Sequence, residues 1–153
     1  MSFIKELREW RNDRNITTPN TKVYIENVLE ELLEIVYSDK KFIELYKNMI
    51  MEYYFFDKLL EDLDEKNTLD AILDISVFST NEAELMGYDM DKAMNEVVKE
   101  ISSRVQDPIQ KEEWSKSGAV GKWQKSERDE HKKLWYKADF DKAKIWEYIQ
   151  TRF

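Results

Sequence analysis

Apolar residues along this chain recur at spacings of three and four far more than at two, a pattern that predicts a succession of helices. Phe3, Leu7 and Trp10 mark a first helix that Ser2 can cap and that fades near Asn15. Pro19 or Thr21 opens a second, running to about Tyr37. Its two faces separate on a wheel, with Ile25, Val28, Leu29, Leu32, Leu33, Ile35 and Val36 on one and Glu26, Glu30, Glu31 and Glu34 on the other. Ser38 or Asp39 caps a third helix, long and aromatic, carrying Phe42, Tyr46, Met49, Ile50, Tyr53, Tyr54, Phe56, Leu60 and Leu63. Asn67 or Thr68 caps a fourth, which stops at Gly87. Asp89 then opens a fifth with Ala93, Met94, Val97, Val98 and Ile101 inward, and Asp107-Pro108 marks its end. Beyond Pro108 the pattern weakens. Gly118-Ala119-Val120-Gly121 reads as a loop, a charged run follows from Lys122 to Lys133, and helical spacing returns from Phe140 through Ala143, Trp146 and Ile149.

The fourth helix breaks the simple amphipathic rule. In Asp70-Ala71-Ile72-Leu73-Asp74-Ile75-Ser76-Val77-Phe78, Asp70, Asp74 and Asn81 form one narrow stripe with apolar residues on both flanks. A helix that is apolar nearly all round is expected to be buried, and an unpaired carboxylate costs several kcal/mol to remove from water. Two aspartates one turn apart in such a setting read as ligands for a cation. The bland alternative is a dipole contact at the helix N-terminus for Asp70 and a buried hydrogen bond for Asp74. For Glu30, Glu31 and Glu34 the bland alternative is a solvated helix face.

Composition narrows the class. With 153 residues, 42% hydrophobic and 13% aromatic, the chain is long enough for one domain with its own core, while 3 Gly and 2 Pro leave little turn chemistry for a sheet. The expected fold is all-α, a bundle of four to five core helices with a partly helical C-terminal extension. Residues 1–107 would form the core and residues 108–153 a basic, Trp-rich extension of the same domain. The absence of cysteine excludes disulfides and thiolate chemistry. The N-terminal residues lack a cationic start followed by an apolar stretch, and charges interrupt every potential membrane span, so a soluble, cytoplasmic protein is expected.

The net charge of −8 disfavours binding to a nucleic-acid polymer. It is uneven. Residues 105–153 carry eleven Lys and Arg against nine Asp and Glu, a net of +2 that leaves −10 for the rest. Among catalytic classes, a di-iron carboxylate bundle needs a Glu-x-x-His on each of two helices, whereas the single histidine, His131, lies in a charged run and reads as a surface residue. Ser-His-Asp hydrolysis, zinc hydrolase motifs and a glycine-rich phosphate loop are missing on the same inspection.

The acidic residues Glu30-Glu31-x-x-Glu34, followed on a later helix by Asp70-x-x-x-Asp74, resemble the motifs of the all-α nucleoside triphosphate pyrophosphohydrolases, the MazG-like superfamily that includes phosphoribosyl-ATP pyrophosphohydrolase-like enzymes. Gly87-Tyr88-Asp89, Glu96-Val97 and Ser103-Arg104 are similar to the turn and helix that follow in that superfamily. The segments 121–125 and 135–140 look like the C-terminal segments of phage and bacterial members. Ala71 stands three before Asp74, where many relatives carry an acid, so either Asp70 serves in its place or the set has one ligand fewer.

This resemblance implies a Mg²⁺-dependent hydrolase, with Mn²⁺ as a substitute, that cleaves a nucleoside triphosphate to the monophosphate and pyrophosphate. Glu31, Glu34, Asp70 and Asp74 would hold metal, and Glu30 with Glu31 would orient or deprotonate the attacking water. An acidic pocket repels a triphosphate, so cations are needed, for which Arg104, Lys122 and Lys125 are candidates. Trp10, Tyr54 and Trp123 are candidates for stacking on a base. The resemblance also implies a homodimer or homotetramer, and the run Tyr53-Tyr54-Phe55-Phe56, which cannot face one core, calls for a second buried surface. The competing expectation is a non-catalytic helical module that senses a nucleotide or binds a protein.

Overall fold

A computed structural model of the chain describes residues 2–55, 63–117 and 124–145. The protein is all-α. Among the described residues the elements are α1 (Phe3–Asn12), α2 (Thr21–Val36), α3 (Lys40–Tyr54), α4 (Glu65–Leu85), α5 (Met90–Ser102), α6 (Pro108–Lys116), the short α7 (Asp129–Lys132) and a 3₁₀ turn over Phe140–Ala143. Extended pairing in this set is limited to two isolated bridges, Tyr88 with Lys144 and Gln106 with Lys125.

The helix starts follow local chemistry. Asn20 caps α2 by accepting from Val23 N at 3.1 Å, and Asp39 caps α3 through Lys41 N and Phe42 N. Asp89 caps α5, accepting from Lys92 N at 2.9 Å. The start of α4 lies earlier than its expected cap at Asn67 or Thr68. Asp64 Oδ1 accepts from Asn67 N at 2.8 Å and so provides the cap itself. Pro108 opens a helix as well as marking a break: Asp107 accepts from Ile109 N and Gln110 N, and proline at the first helical position gives up an amide that had no partner there. The long third helix is observed to Tyr54; Phe56 and Leu60 lie outside the described residues, as do the loop at residues 118–121 and the stretch from Trp146 onward.

Gly87 ends α4 as expected. Its φ of 92° is left-handed, the Gly87 amide donates to Glu84 O at 2.9 Å, and the Tyr88 amide donates to Ala83 O at 3.1 Å. These two bonds satisfy carbonyls that a helix end would otherwise leave unpaired.

The chain divides into two compact units. One comprises Met1–Thr18 with Ile75–Phe153; the other is Pro19–Asp74. In the first, α5 packs against α1 and against the 3₁₀ turn, with Val98 and Ala143 buried. Asp89 N donates to Ala143 O, and Ile145 N donates to Gly87 O, each at 2.8 Å, so the turn is stitched to the start of α5. In the second, α2 packs on α3, with Ile43 and Met51 buried. Tyr37, Phe42 and Tyr46 cluster at one end, with centroids 4.3 Å apart for Phe42 and Tyr46 and 4.9 Å apart for Tyr37 and Phe42.

The described core is sparse. Leu32, Ile35 and Val36 on α2, Tyr53 and Tyr54 on α3, and Leu69, Leu73, Val77 and Phe78 on α4 are all exposed. No helix among the described residues is long and apolar enough to cross a membrane.

Candidate functional site

The acidic residues of α2 sit where the wheel places them. At 100° per residue, Glu30 and Glu34 lie on one side of the helix with Glu31 between them and the next flank. Glu30 is engaged, since its Oε2 accepts from Lys47 Nζ of α3 at 2.7 Å, and Lys47 also meets Glu44 at 2.8 Å. Partial desolvation, with Glu34 and Glu30 as like-charged neighbours, holds the Glu31 carboxyl above the ordinary carboxylate range. A carboxylate crowded in this way gains from a nearby cation.

Asp70 and Asp74 are one turn apart on α4, as read from the sequence, but their surroundings differ from the expectation. Both are exposed, and so are the apolar side chains around them: Leu73 keeps 54% of its surface and Phe78 69%. The buried carboxylate pair inferred from the apolar pattern is therefore not present in the single chain. The reason is tertiary. Residues 65–74 of α4 share a unit with α2 and α3 yet pack on neither among the described residues, so no desolvation is imposed on the aspartates. Along this helix the hydroxyls of Thr68, Ser79 and Thr80 turn back one turn to donate to the carbonyls of Asp64, Ile75 and Ser76.

The donor chemistry suits a hard divalent cation, because every candidate ligand is a carboxylate oxygen. Convergence is incomplete. Among the described residues no three His, Asp or Glu side chains gather closely enough to hold a metal ion. What one chain presents is two acid pairs, Glu31 with Glu34 and Asp70 with Asp74, each on an exposed helix face.

The cationic candidates behave differently. Arg104 and Lys125 meet at the indole of Trp135, a residue not singled out from the sequence. Lys122 and Trp123 lie outside the described residues. Of the stacking candidates, Tyr54 is exposed, while Trp10 is already occupied: the Arg14 guanidinium lies 4.4 Å over its ring and its Nε1 donates to Ile101 O at 3.4 Å. Trp10 lines a groove of about 350 Å³ between α1 and α5 with Glu6, Glu9, Asp13, Arg14, Lys99 and Ser102.

Two further groupings escaped the sequence reading, one because it joins α5 to residues some forty positions later, the other because a serine and a histidine five apart carry no periodic signal. Glu96, 3% exposed, accepts from Lys99 Nζ, the Tyr136 hydroxyl and Asp139 N. These donors hold its carboxyl down to about 2. One turn on, Glu100 accepts from Arg104 and from Ala138 N at 2.9 Å. The i, i+4 spacing of the two glutamates was the available signal. His131, expected at the surface, is instead half-buried, its Nδ1 2.7 Å from the hydroxyl of the fully buried Ser126.

Comparison of the chain with protein-family models, with curated proteins and with solved structures gives no match in any of the three.

Proposed function

We propose that the protein is a Mg²⁺-dependent nucleoside triphosphate pyrophosphohydrolase of the MazG-like kind, acting as a homodimer or homotetramer. The observation that carries this reading is the Glu30-Glu31-Glu34 face, where partial burial and then the like charges of Glu34 and Glu30 raise the Glu31 carboxyl, together with a second acid pair at Asp70 and Asp74. Glu31, Glu34, Asp70 and Asp74 would hold the metal, which when bound neutralises phosphate charge and activates water. Glu31 has the raised basicity wanted of a group that takes a proton from water, whereas Glu30, held by Lys47, is suited to orienting its neighbours.

The same pattern of exposure supports the oligomer in this reading. The buried hydrophobics among the described residues are Ile43, Met51, Val98 and Ala143, and the exposed faces of α2 and α4 supply apolar surface that a second copy would cover. Association is also the step that would take the acid pairs out of bulk water.

The exposed face of α4 favours a second reading, a non-catalytic interaction module. One assay separates the two. Pyrophosphate released from common NTPs and dNTPs in Mg²⁺, and abolished by chelator, supports the hydrolase. A chain that associates or binds nucleotide without turnover is the module.

A further inference from the structure

Trp135 gathers three cations. The Arg104 guanidinium lies 5.8 Å from its ring centroid, and the ammonium groups of Lys125 and Lys132 lie 5.0 and 5.9 Å from it. In a chain of net charge −8 such a concentration of positive charge stands out. The three residues come from separate segments: Arg104 just past the end of α5, Lys125 on the bridge to Gln106, and Lys132 at the end of α7. Backbone bonds hold these segments in place. Ser126 N donates to Val105 O at 2.8 Å, Asp107 N to Gln124 O at 3.1 Å, Trp135 N to Lys132 O at 3.1 Å, and Tyr136 N to Ser103 Oγ at 2.7 Å. The Arg104 carbonyl is tied in turn by Arg14 Nη2 at 3.1 Å. A cation cluster fixed by its main chain is preorganised.

Its charge is only partly balanced. Arg104 pairs with Glu100, while Lys125 and Lys132 make no ion pair among the described residues. Hydrogen bonding is unbalanced in the same direction, because Trp135 Nε1 and Arg104 Nε are buried donors without an acceptor among the described residues. Attraction to the indole face holds each cation near the ring but does nothing to relieve their mutual repulsion. An anion with several oxygens would do so, meeting the guanidinium fork and both ammonium groups. Two unbalanced charges, each within 6 Å of the same ring, call for more than one anionic centre, which a carboxylate lacks.

The geometry points to an oxyanion site at Trp135, built from Arg104, Lys125 and Lys132, that takes a diphosphate or triphosphate group, either free or carried by a nucleotide. The nucleotide source rests on the hydrolase reading; capture of the inorganic anion does not. The site works without metal and without the acids of α2 and α4.

The test is titration of the full chain with inorganic tripolyphosphate, and separately with ATP, in EDTA at low salt. The readout is the indole N–H resonance of Trp135, identified by its loss in Trp135→Phe. The expected result is a saturable shift with both ligands, weakened at least ~10-fold in Lys125→Gln/Lys132→Gln, a variant confirmed as folded by circular dichroism, and weakened by added salt. No response to either ligand overturns the site, as does an equal response in the double variant. A response to ATP alone overturns phosphate recognition in favour of the base. Loss of pyrophosphatase-type turnover with tripolyphosphate binding intact sinks the hydrolase reading while leaving this site standing.

Discussion

Tyr136 donates its hydroxyl hydrogen to Glu96, forty positions earlier in the chain, and with Asp139 N and Lys99 it completes the shell of a carboxylate that is almost wholly buried on α5. With Glu100 and Ser103 receiving Ala138 N and Tyr136 N, two glutamates of α5 and the serine at its C-cap hold the segment 136–139 against the helix. The segment 136–139 is thus fastened to α5 by polar bonds.

That fastening makes stability acid-sensitive. The Glu96 carboxyl sits at about 2 in the folded protein, below its ordinary value, so its contribution is complete above the ordinary carboxylate range and is lost as pH falls from there toward 2. Glu96→Gln should lower the melting temperature at pH 7 by several degrees and flatten the acid limb of the pH–stability curve. Thermal melts from pH 3 to pH 7 measure both.

Glu31 carries the opposite sign. Its carboxyl is raised, so the folded state binds that proton more tightly than the unfolded chain does, and ionisation above the ordinary range costs stability. Glu31→Gln should therefore raise the melting temperature of the chelator-treated protein at neutral pH. If the residue holds metal, the same variant loses the upward shift that Mg²⁺ produces in the parent chain. Calorimetry in EDTA and then in Mg²⁺ compares the two, and a variant that is destabilised in EDTA contradicts a carboxyl raised by burial and like charge.

Asp74→Asn keeps size and shape but removes a charged ligand. It should abolish pyrophosphate release and leave the fold untouched, because Asp74 is exposed and no hydrogen bond of the described fold depends on it. Full activity in this variant would remove Asp74 from the metal set.

Gly87 requires a left-handed backbone at φ 92°, which a Cβ makes unfavourable. Gly87→Ala should cost about 1–2 kcal/mol in urea unfolding, as expected for side chains forced into that region. A neutral substitution would mean that the end of α4 can be rebuilt.

Phe78, 69% exposed on α4, tests the assembly. Phe78→Glu should shift sedimentation toward the monomer while circular dichroism stays unchanged, since most of the residue's surface is open to solvent in the single chain. An unchanged oligomer would place the interface elsewhere.

How much was legible in advance depends on range. Helices were readable because their causes are local: the apolar faces of α2 and α5, the caps at Asp39 and Asp89, and the glycine at 87 act within a few residues of where they stand. The start of α4 was misplaced because Asp64, Asn67 and Thr68 are all competent caps, and only the bond from Asn67 N to Asp64 chooses among them. The burial expected of Asp70 and Asp74 failed for a different reason: an apolar pattern says that a face wants covering, not that its own chain covers it.

By itself, then, the amino-acid sequence determined the all-α class, most helix ends and the spacing of the acids, all of which follow from hydrogen bonds and periodicities spanning four residues or fewer. Tertiary structure alone decided that Glu96 and Glu100 bind the segment 136–139, that Ser126 is buried against His131, and that Arg104, Lys125 and Lys132 meet at Trp135. Those pairings join residues that are separate in the chain or whose side chains carry no periodic signal, and their free energy appears only once folding has brought the segments together.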